Sequence, residues 1–378
     1  MTSEDAVRLF LCGDVMTGRG IDQILPTPGD PQLHEPWVRT ALEYVAMAER
    51  LSGPIPRRAG FDYVWGEAGA VWERLQPHAR IVNLETSVTT SREADPDKGI
   101  HYRMHPGNVR CLTAAHIDCC VLANNHVLDW GRRGLEQTLR TLHAAGLKTA
   151  GAGGDDVQAA APAVIAVPGG RVLVYGLAFA SSGTPRAWGA GQARPGVNWF
   201  ADLSAQTVEA VCRPMRRDRH PGDLIIVSLH WGGNWGFEVR GSEREFAHRL
   251  IEAGVDLVHG HSSHHPRGIE VYRGKAILYG CGDLLNDYEG IPGYESYRPE
   301  LSLMYFPRLA PGSGELIALT LIAVRRRRFR LQKASAQETA WLLATMDGEC
   351  RRWGVRVRQG NGNALYIDWP GRCGPRSV

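Results

Sequence analysis

The stretch DCCVLANNHVLDWG (118–131) places a dense group of polar side chains directly after a short apolar run. The run CCVLA has the length of a buried strand, and two asparagines and His126 follow it at once. The next segment, GLEQTLRTLHAAG (134–146), has helical spacing and ends on a glycine. Because α/β proteins bind ligands at the carboxyl ends of their strands, this stretch predicts an α/β fold with a functional site there.

The same succession of strand and helix recurs along the chain. Apolar runs with the length of buried strands are VRLFLCGDV (7–15), RIVNLET (80–86), DCCVLANN (118–125), RVLVYGLAF (171–179), DLIIVSLHW (223–231), DLVHGH (256–261) and KAILYGCGD (275–283). Helical spacing is also found in residues 37–51 and 243–254. This alternation is typical of a layered α/β fold with buried strands.

The last third of the chain differs, because its strands follow one another with few helices between them. EVYRGKAILYG (270–280) and ELIALTLIAVRRRRFRL (315–331) predict a second, more antiparallel sheet. Residues 325–328 are consecutive arginines. Such a run is either the solvated surface of a strand or a contact for an anionic partner.

A C-terminal helix is predicted from its first turn. Ser335 and Glu338 have the spacing of a capping box, and the helix that they begin should run to about Trp353. We therefore assign residues 1–334 to one domain and residues 335–378 to a helix and strand extension packed on the same domain.

Composition and charge exclude several classes of protein. With 43% hydrophobic residues the 378-residue chain can bury a full core, and its net charge of +3 predicts neither a nucleic-acid nor a membrane partner. No apolar run approaches the roughly 20 residues that span a bilayer. The start, MTSEDAVRLF, lacks the pattern of a secretion signal, so we expect a cytoplasmic protein. The eight cysteines form no CxxC pair, which predicts reduced, buried thiols.

Side chains that bind metals or carry protons recur at successive strand ends. They are Asp14 in GDVMTGRG, Glu85 in NLETS, Asn125 and His126 in ANNH, His230 in HWGG, and His261, His264 and His265 in GHSSHH. Each one alone is more often a helix cap, a turn former or a buried structural group than a ligand. Their repetition favours a shared site, because carboxylate, amide and imidazole groups together suit a divalent metal ion.

Several aromatic residues in or beside the longer loops have two interpretations. Trp188, Trp231, Trp235 and Tyr288 either cover the core or form a stacking wall for a peptide or aromatic substrate. The second interpretation makes them candidate substrate-binding residues.

The motifs GDVMTGRG, NLETS, LANNHVLDWG, HWGG and GHSSHHPRGIEVYRGKAILYGCGD, in this order and spacing, resemble those of the CapA family. This family comprises capsule and poly-gamma-glutamate biosynthesis proteins with a calcineurin-like metallophosphoesterase fold. The likeness covers residues 8–306. It implies a four-layer α/β/β/α sandwich in which two mixed sheets, flanked by helices, hold metal at their strand ends.

The resemblance also implies roles for particular residues. The implied metal ligands are Glu85, Asn125, His230 and His261, and the implied proton donor is His126. Two imidazoles of the family's pattern are missing here, since Met16 occupies one position and Ser263 the other, with His264 one position late. The half of the site that depends on Asp14 is therefore depleted. We expect one divalent ion (Ca²⁺, Mn²⁺, Mg²⁺ or Zn²⁺), with Asp14 as a further metal ligand that acts through water, or as a base.

One metal among surplus histidines and carboxylates suits proton transfer better than phosphoryl transfer, which commonly uses two metals. The predicted catalytic residues are His126, His264 and His265 with the carboxylates Asp14, Asp129 and Asp283. A branch of the resembled family epimerises a Cα centre of a ribosomal, lasso-type precursor peptide, and we predict the same isomerase activity and the same class of partner. The alternatives are a CapA-type enzyme of poly-gamma-glutamate or capsule biosynthesis, a metallophosphoesterase, and an inactive binding scaffold.

Overall fold

Strand β1 (Val7–Val15) lies inside a 10-stranded mixed sheet and carries Asp14 near its carboxyl end. The computed structural model describes residues 6–372. A second, 7-stranded mixed sheet packs against the first, and helices cover the outer face of each sheet. The α/β class and the helix–sheet–sheet–helix order expected from the sequence are confirmed.

Most of the strands are short, and only a few are long. In chain order they are β1, β2 (Ala79–Leu84), β3 (Ser87–Val88), β4 (Arg103–Met104), β5 (Cys119–Val121), β6 (Lys148–Ala150), β7 (Ala152–Gly153), β8 (Ala163–Val167), β9 (Gly170–Phe179), β10 (Gly196–Val197), β11 (Trp199–Phe200), β12 (Leu224–His230), β13 (Leu257–His261), β14 (Ile269–Tyr272), β15 (Lys275–Leu278), β16 (Asp283–Leu285), β17 (Leu301–Leu309), β18 (Leu316–Arg327), β19 (Arg330–Lys333), β20 (Arg356–Gln359) and β21 (Ala364–Asp368).

The α-helices connect these strands or cover the sheets. They are α1 (Arg19–Ile24), α2 (Ala41–Ser52), α3 (Ala68–Leu75), α4 (Arg110–Ala114), α5 (Gly131–Ala144), α6 (Asp156–Ala160), α7 (Ala205–Asp218), α8 (Gly241–Glu252) and α9 (Ala336–Arg351).

Parallel pairing brings the strand ends of each sheet together. The larger sheet has the order β20-β21-β18-β17-β1-β2-β5-β6, with β16 paired to β1 and β19 to β18. The smaller sheet has the order β11-β9-β12-β13-β15-β14, with β8 paired to β9. Strands β1, β2, β5 and β6 run parallel, as do β9, β12, β13 and β15. Their carboxyl ends therefore lie along a common edge in each sheet.

Two apolar cores account for the layers. Val172 and Val174 of β9 face the larger sheet and pack in one core with β1 side chains such as Leu9. The alternate residues Leu173 and Tyr175 point the opposite way and pack against α7 and α8 in a second core. This alternation is the ordinary period of a strand, so β9 is covered on both faces.

The late strands do not form a sheet of their own, so that expectation is wrong. β14 and β15 form an antiparallel hairpin at the edge of the smaller sheet, whereas β18 pairs with β17 and β21 in the larger one. Most residues of β18 are buried along both faces. A strand that is apolar on both faces needs cover on both sides, which the interior of the larger sheet provides.

Element boundaries agree with the sequence where a local signal exists. The predicted strand over 7–15 matches β1, and the Ser335–Glu338 capping box begins α9 with both of its hydrogen bonds formed. The helix predicted from residue 37 instead begins at Ala41, because Thr40 caps its first turn and Trp37 stays 69% exposed.

The cysteines follow the sequence expectation over the residues that the structure describes. The cysteines within residues 6–372 are buried free thiols, and Cys373 lies outside the described residues. Over the same range, no helix has both the length and the apolar character needed to cross a bilayer.

The carboxyl end of β1 is pressed against the backbone just before β16. The Asp14 N–H donates to the Gly282 carbonyl at 2.9 Å, and Asp14 is in register with Asp283. A Cβ atom on Gly13 would lie 1.6 Å from that same carbonyl oxygen. Only glycine permits this approach, which places two carboxylates of the candidate site side by side.

We expect Gly13→Ala to lower the free energy of unfolding by about 1–3 kcal/mol, because the added methyl group must push β1 away from Gly282. Gly348→Ala is the matched control, since nothing lies within 4 Å of the added atom. In a helix interior that change should stabilise the protein by about 0.5–1 kcal/mol. Urea unfolding followed by circular dichroism measures both variants. An unchanged stability of Gly13→Ala would contradict the close contact.

Candidate functional site

The predicted ligands lie together at the carboxyl ends of strands from both sheets. They are Asp14 in β1, Glu85 after β2, Asn125 and His126 after β5, His230 in β12 and His261 in β13. Asp14, His230 and His261 are completely buried. One ligand atom from each of these three lies within 4.8 Å of the others, which is close enough to share an ion.

A chain of buried hydrogen bonds decides where His261 carries its proton. His259 Nε2 lies 2.8 Å from the Cys12 carbonyl oxygen, which only accepts, so His259 donates from Nε2 and accepts at Nδ1. The Ser228 hydroxyl, 3.0 Å from that Nδ1 and 2.9 Å from His261 Nε2, donates to the first and accepts from the second. The lone pair of His261 therefore lies on Nδ1, which faces His230 Nδ1 at 2.9 Å.

Asn125 orients the second imidazole. Its Nδ2 donates to the Ser182 carbonyl at 3.1 Å, so its Oδ1 is the atom that accepts from His230 Nε2 at 3.1 Å. His230 then also presents a bare Nδ1 to His261. Two facing lone pairs repel one another unless a positive charge lies beside them, and Asp14 Oδ1 is 3.6 Å from His261 Nδ1. This donor set fits a divalent metal ion.

Three buried carboxylates crowd the same place. Asp14, Glu85 and Asp283 have oxygens within 4.8 Å of one another. Burial, and then repulsion between these carboxylates, raises the pKa of Asp14 and Glu85 above their ordinary values. Asn83 donates to Asp14 Oδ1 at 2.7 Å, and the Ser262 N–H donates to Asp14 Oδ2 at 3.2 Å. Of the three carboxylates, these two hydrogen bonds stabilise Asp14 alone. A bound cation would compensate the remaining negative charge.

The geometry changes which of the ligands expected from the sequence are the strongest candidates. Asp14, which was expected to act through water or as a base, belongs to both groups of ligand atoms. The Oδ1 atom of Asn125 is engaged by His230. Glu85 Oε1 lies 3.7 Å from His230 Nε2, beside the group formed by Asp14, His230 and His261. Asp14, His230 and His261 are therefore the primary candidate ligands.

His126 lies beside this group as a candidate proton carrier. Its Nδ1 is 2.7 Å from Asp129 Oδ2, so the Nδ1 proton is held there and Nε2 keeps a lone pair. Tyr102 stacks on the ring, with 3.8 Å between centroids, and donates its backbone N–H to Asp129. Burial, with the nearby cations Lys98 and Arg19, lowers the pKa of His126 well below its usual value. The ring is therefore neutral.

His264, on the loop after β13, has a carboxylate partner of its own. Its Nδ1 lies 3.0 Å from each oxygen of Asp283, which also accepts from Asn286 at 2.7 Å. Burial alone lowers the pKa of His264, but the Asp283 carboxylate raises it above the ordinary value. The pKa values of His126 and His264 thus move in opposite directions, as expected for a base and an acid in one site.

Two tyrosines connect the histidine pairs, and a buried arginine supports them. The hydroxyl groups of Tyr102 and Tyr288 share a hydrogen bond, and Tyr288 packs edge-on against His264 at 5.4 Å. The Arg19 guanidinium lies 4.8 Å from the Tyr102 ring centre and pairs with Asp287. Sequence reasoning missed Arg19 and Tyr102. Arg19 could have been found from its place in GDVMTGRG, whereas nothing in the pattern around Tyr102 marks it.

Two of the candidate substrate-binding tryptophans belong to the cores instead. Trp231 is completely buried, stacks on Tyr279 and donates its indole N–H to the Tyr279 carbonyl at 3.0 Å. Trp188 is buried in the core between the sheets. The indole N–H of Trp188 donates to Asp95 at 2.7 Å, so the polar atom of each indole is already engaged within the protein. Trp235 is half-buried with its ring 5.2 Å from His264, which keeps it beside the centre.

His265 and Ser263 are engaged by the backbone. His265 Nδ1 donates to the Pro266 carbonyl and Nε2 accepts from the Gly236 N–H, both at 3.1 Å. Burial lowers the pKa of His265 to about 4. With neither nitrogen free, His265 holds the loop that carries Trp235 rather than moving protons. Ser263, at the position of a missing imidazole, donates its hydroxyl to the His265 carbonyl at 2.9 Å.

We expect Ser228→Ala to lower the affinity for a divalent ion about 10- to 100-fold, because the proton on His261 is then no longer held at Nε2. Ser302→Ala is the matched control, since Ser302 is equally buried and its hydroxyl has no hydrogen-bond partner. Titration of chelator-treated protein with Mn²⁺ or Zn²⁺, with elemental analysis of the product, measures affinity and stoichiometry. We expect one tightly held ion per chain. Equal affinities for the two variants would contradict the role of Ser228.

Comparison with known proteins places this site in a bacterial family. Residues 8–288 match the model of the bacterial capsule synthesis protein PGA_cap. A probable polyglutamine synthesis accessory protein of Mycobacterium tuberculosis is 48% identical over 96% of each chain. The PGA biosynthesis protein CapA of Bacillus subtilis is 26% identical over 75% of this chain and 64% of its own.

Among solved structures, a 5'-nucleotidase precursor from Thermus thermophilus aligns with 90% of this chain and 58% of its own, at 15% identity and a TM-score of 0.47. The family match spans most of the chain and all the motifs that converge on the buried centre. The chain belongs to the PGA_cap family of bacterial capsule synthesis proteins.

Proposed function

We propose that this protein is a metal-dependent enzyme that hydrolyses amide bonds of a glutamyl polymer during the synthesis of that polymer. The observation that carries the proposal is the pairing of two histidines with carboxylates, His126 with Asp129 and His264 with Asp283, beside one cluster of metal-type ligands. The class of polymer is supported by the relatives, one named for polyglutamine synthesis and another for PGA biosynthesis.

Each histidine is held by its carboxylate through Nδ1, so Nε2 is the atom that exchanges protons. In amide hydrolysis one Nε2 takes a proton from water as the water oxygen bonds to the carbonyl carbon. The other Nε2 gives its proton to the amide nitrogen as the C–N bond breaks. A divalent ion at Asp14, His230 and His261 would supply positive charge to polarise the carbonyl oxygen. The reaction consumes one water and no other reactant.

Phosphoryl transfer fits this centre less well. The usual arrangement clamps the attacking and leaving oxygens between two metal ions. Here Met16 replaces one imidazole, and the Ser263 hydroxyl is bonded to the backbone. Asp283, which could serve a second ion together with Glu85, is engaged by His264 through both oxygens.

Hydrolysis is tested with a synthetic γ-linked oligoglutamate and an α-linked oligoglutamine in ¹⁸O-labelled water with Mn²⁺. Mass spectrometry should show shortened chains with one ¹⁸O atom in each new carboxylate. His126→Gln and His264→Gln should each lower the rate about 10²- to 10⁴-fold, because each removes a proton carrier. His143→Gln, an exposed histidine on α5, is the control and should keep the parent rate.

Unchanged chains of both kinds would contradict the proposed hydrolysis. A chromogenic phosphodiester serves as a second substrate, and we expect negligible turnover of it. Rapid phosphodiester hydrolysis that His126→Ala abolishes would assign the centre to phosphoesterase chemistry instead.

Inversion of a Cα centre in a precursor peptide is the second candidate. The same two histidine pairs favour it, because inversion needs a proton to leave one face of the carbon and another to arrive at the opposite face. Positive charge at the ligand cluster would stabilise the negative charge that develops on the neighbouring carbonyl oxygen.

Deuterated water separates this activity from hydrolysis. An epimerised peptide should gain about one mass unit and keep every covalent bond of its skeleton, since only a C–H bond is exchanged. His126→Gln and His264→Gln should each abolish net inversion, while exchange persists at the face that keeps its proton carrier. Full inversion by a protein that carries both substitutions would place the proton carriers elsewhere.

A further inference from the structure

A cavity of about 720 Å³ lies next to the candidate centre. Its walls include the end of β18, with Arg325, Arg326 and Arg327, and the loop that carries Asn286 and Tyr288. Asn286 also donates to Asp283, and Tyr288 also packs against His264. The cavity, which we call the arginine cavity, therefore shares walls with the acid–base pair. Its volume is in the range that holds small ligands.

Two of the arginines in its wall are already neutralised. Arg325 pairs with Glu338 at 2.9 Å, and Arg298 pairs with Glu300 at 2.7 Å. These ion pairs satisfy both charges within the protein. They leave Arg326 and Arg327 as the arginines of the β18 wall without an ion pair in the described residues, and Nε of Arg325 is also buried without a hydrogen-bond partner.

Arg326 and Arg327 keep unused hydrogen-bond donors. Arg326 is only 5% exposed, and its Nη1 donates to the Asp283 carbonyl oxygen. Its Nη2 is buried without a hydrogen-bond partner. The Arg327 guanidinium, which is half-buried, forms no ion pair or side-chain hydrogen bond within residues 6–372. A buried guanidinium nitrogen without a partner is costly, so a ligand that accepts from it would be held strongly.

The same wall also offers one unused acceptor. Glu289 Oε2 accepts from the Phe329 N–H at 3.2 Å, whereas its Oε1 is buried without a partner. Glu295, near the mouth, accepts from the backbone of its own loop at Gly293. The free groups are thus guanidinium donors and one carboxylate acceptor. They match a ligand that carries a negative group close to an N–H.

We propose that the arginine cavity is a binding subsite for a glutamyl chain, with a free carboxylate on Arg326 and Arg327 and a neighbouring amide N–H on Glu289. This rests on the proposed function and adds that the chain must carry free carboxylates, as polyglutamate does and polyglutamine does not. Arginine suits the task because its planar fork pairs with a carboxylate through charge-assisted hydrogen bonds. A chain held there passes Tyr288 on its way to His264.

Binding is measured by calorimetry with γ-linked oligoglutamate, an α-linked oligoglutamine of equal length, and inorganic polyphosphate. We expect oligoglutamate to bind, more weakly as salt rises, and oligoglutamine not to bind. Arg327→Gln should weaken oligoglutamate binding about tenfold, as expected for the loss of a charge-assisted hydrogen bond. Arg213→Gln, which removes the same charge from an exposed position on α7, is the control and should bind as the parent does.

Two further measurements distinguish failure of the subsite from failure of the proposed function. Hydrogen exchange of the parent should slow in residues 286–300 when oligoglutamate is added, and this needs no substitution in the cavity. The hydrolysis assay, run on the same parent protein, separates binding from turnover. Binding without hydrolysis by the parent would overturn the proposed function alone.

Other results would overturn the subsite itself. Equal binding of oligoglutamine, or oligoglutamate binding unaffected by Arg327→Gln, would show that the free donors are not used. Polyphosphate binding as tight as that of oligoglutamate and equally sensitive to Arg327→Gln would make the cavity a general anion site rather than one for a glutamyl chain.

Discussion

The backbone contact between Gly13 and Gly282 is the constraint on which the candidate centre depends. It brings β1 against β16 in a register that sets Asp14 opposite Asp283. Because both residues are buried, their carboxylates repel one another at short range and neither is screened by water. The fold thus holds negative charge where the two sheets meet, and a cation bound there would lower the free energy of the folded state.

A backbone carbonyl group decides where the protons on the histidines of this centre lie. The Cys12 carbonyl oxygen can only accept a hydrogen bond, so His259 donates to it from Nε2 and accepts from Ser228 at Nδ1. Ser228 in turn accepts from Nε2 of His261, which leaves Nδ1 of His261 without a proton. Each member of the chain is buried and satisfied by the next, which makes the arrangement rigid. The tautomer of His261 is therefore a property of strand pairing, since β12 and β13 carry Ser228 and His261 side by side with β1 beneath them.

Two positions where the family's pattern has an imidazole carry other side chains here, and the structure shows how these side chains are placed. Met16 carries a thioether and the Ser263 hydroxyl donates to the backbone, so neither position offers an imidazole to an ion. What remains is one compact group of donors flanked by two histidine–carboxylate pairs, with Tyr102 and Tyr288 joining them. Such a centre favours moving protons over clamping a phosphoryl group. The arginine cavity beside it favours a chain that carries negative charge.

Much of the fold and the chemical types in the site follow from the sequence alone. The apolar run of β1 and the capping box of α9 are local signals, and the structure matches both. Asp14, His230 and His261 were candidates because parallel strands place their carboxyl ends on one edge, whatever the details of packing. The tertiary structure alone decided several further matters. It divided the late strands between two sheets, buried Trp231 in a core, and left Arg326 with an unused donor under a loop. It also chose which nitrogen of each histidine is free. These outcomes depend on partners far away in the sequence, such as Cys12 for His259, and no local pattern of residues encodes a hydrogen bond between strands that meet only after folding.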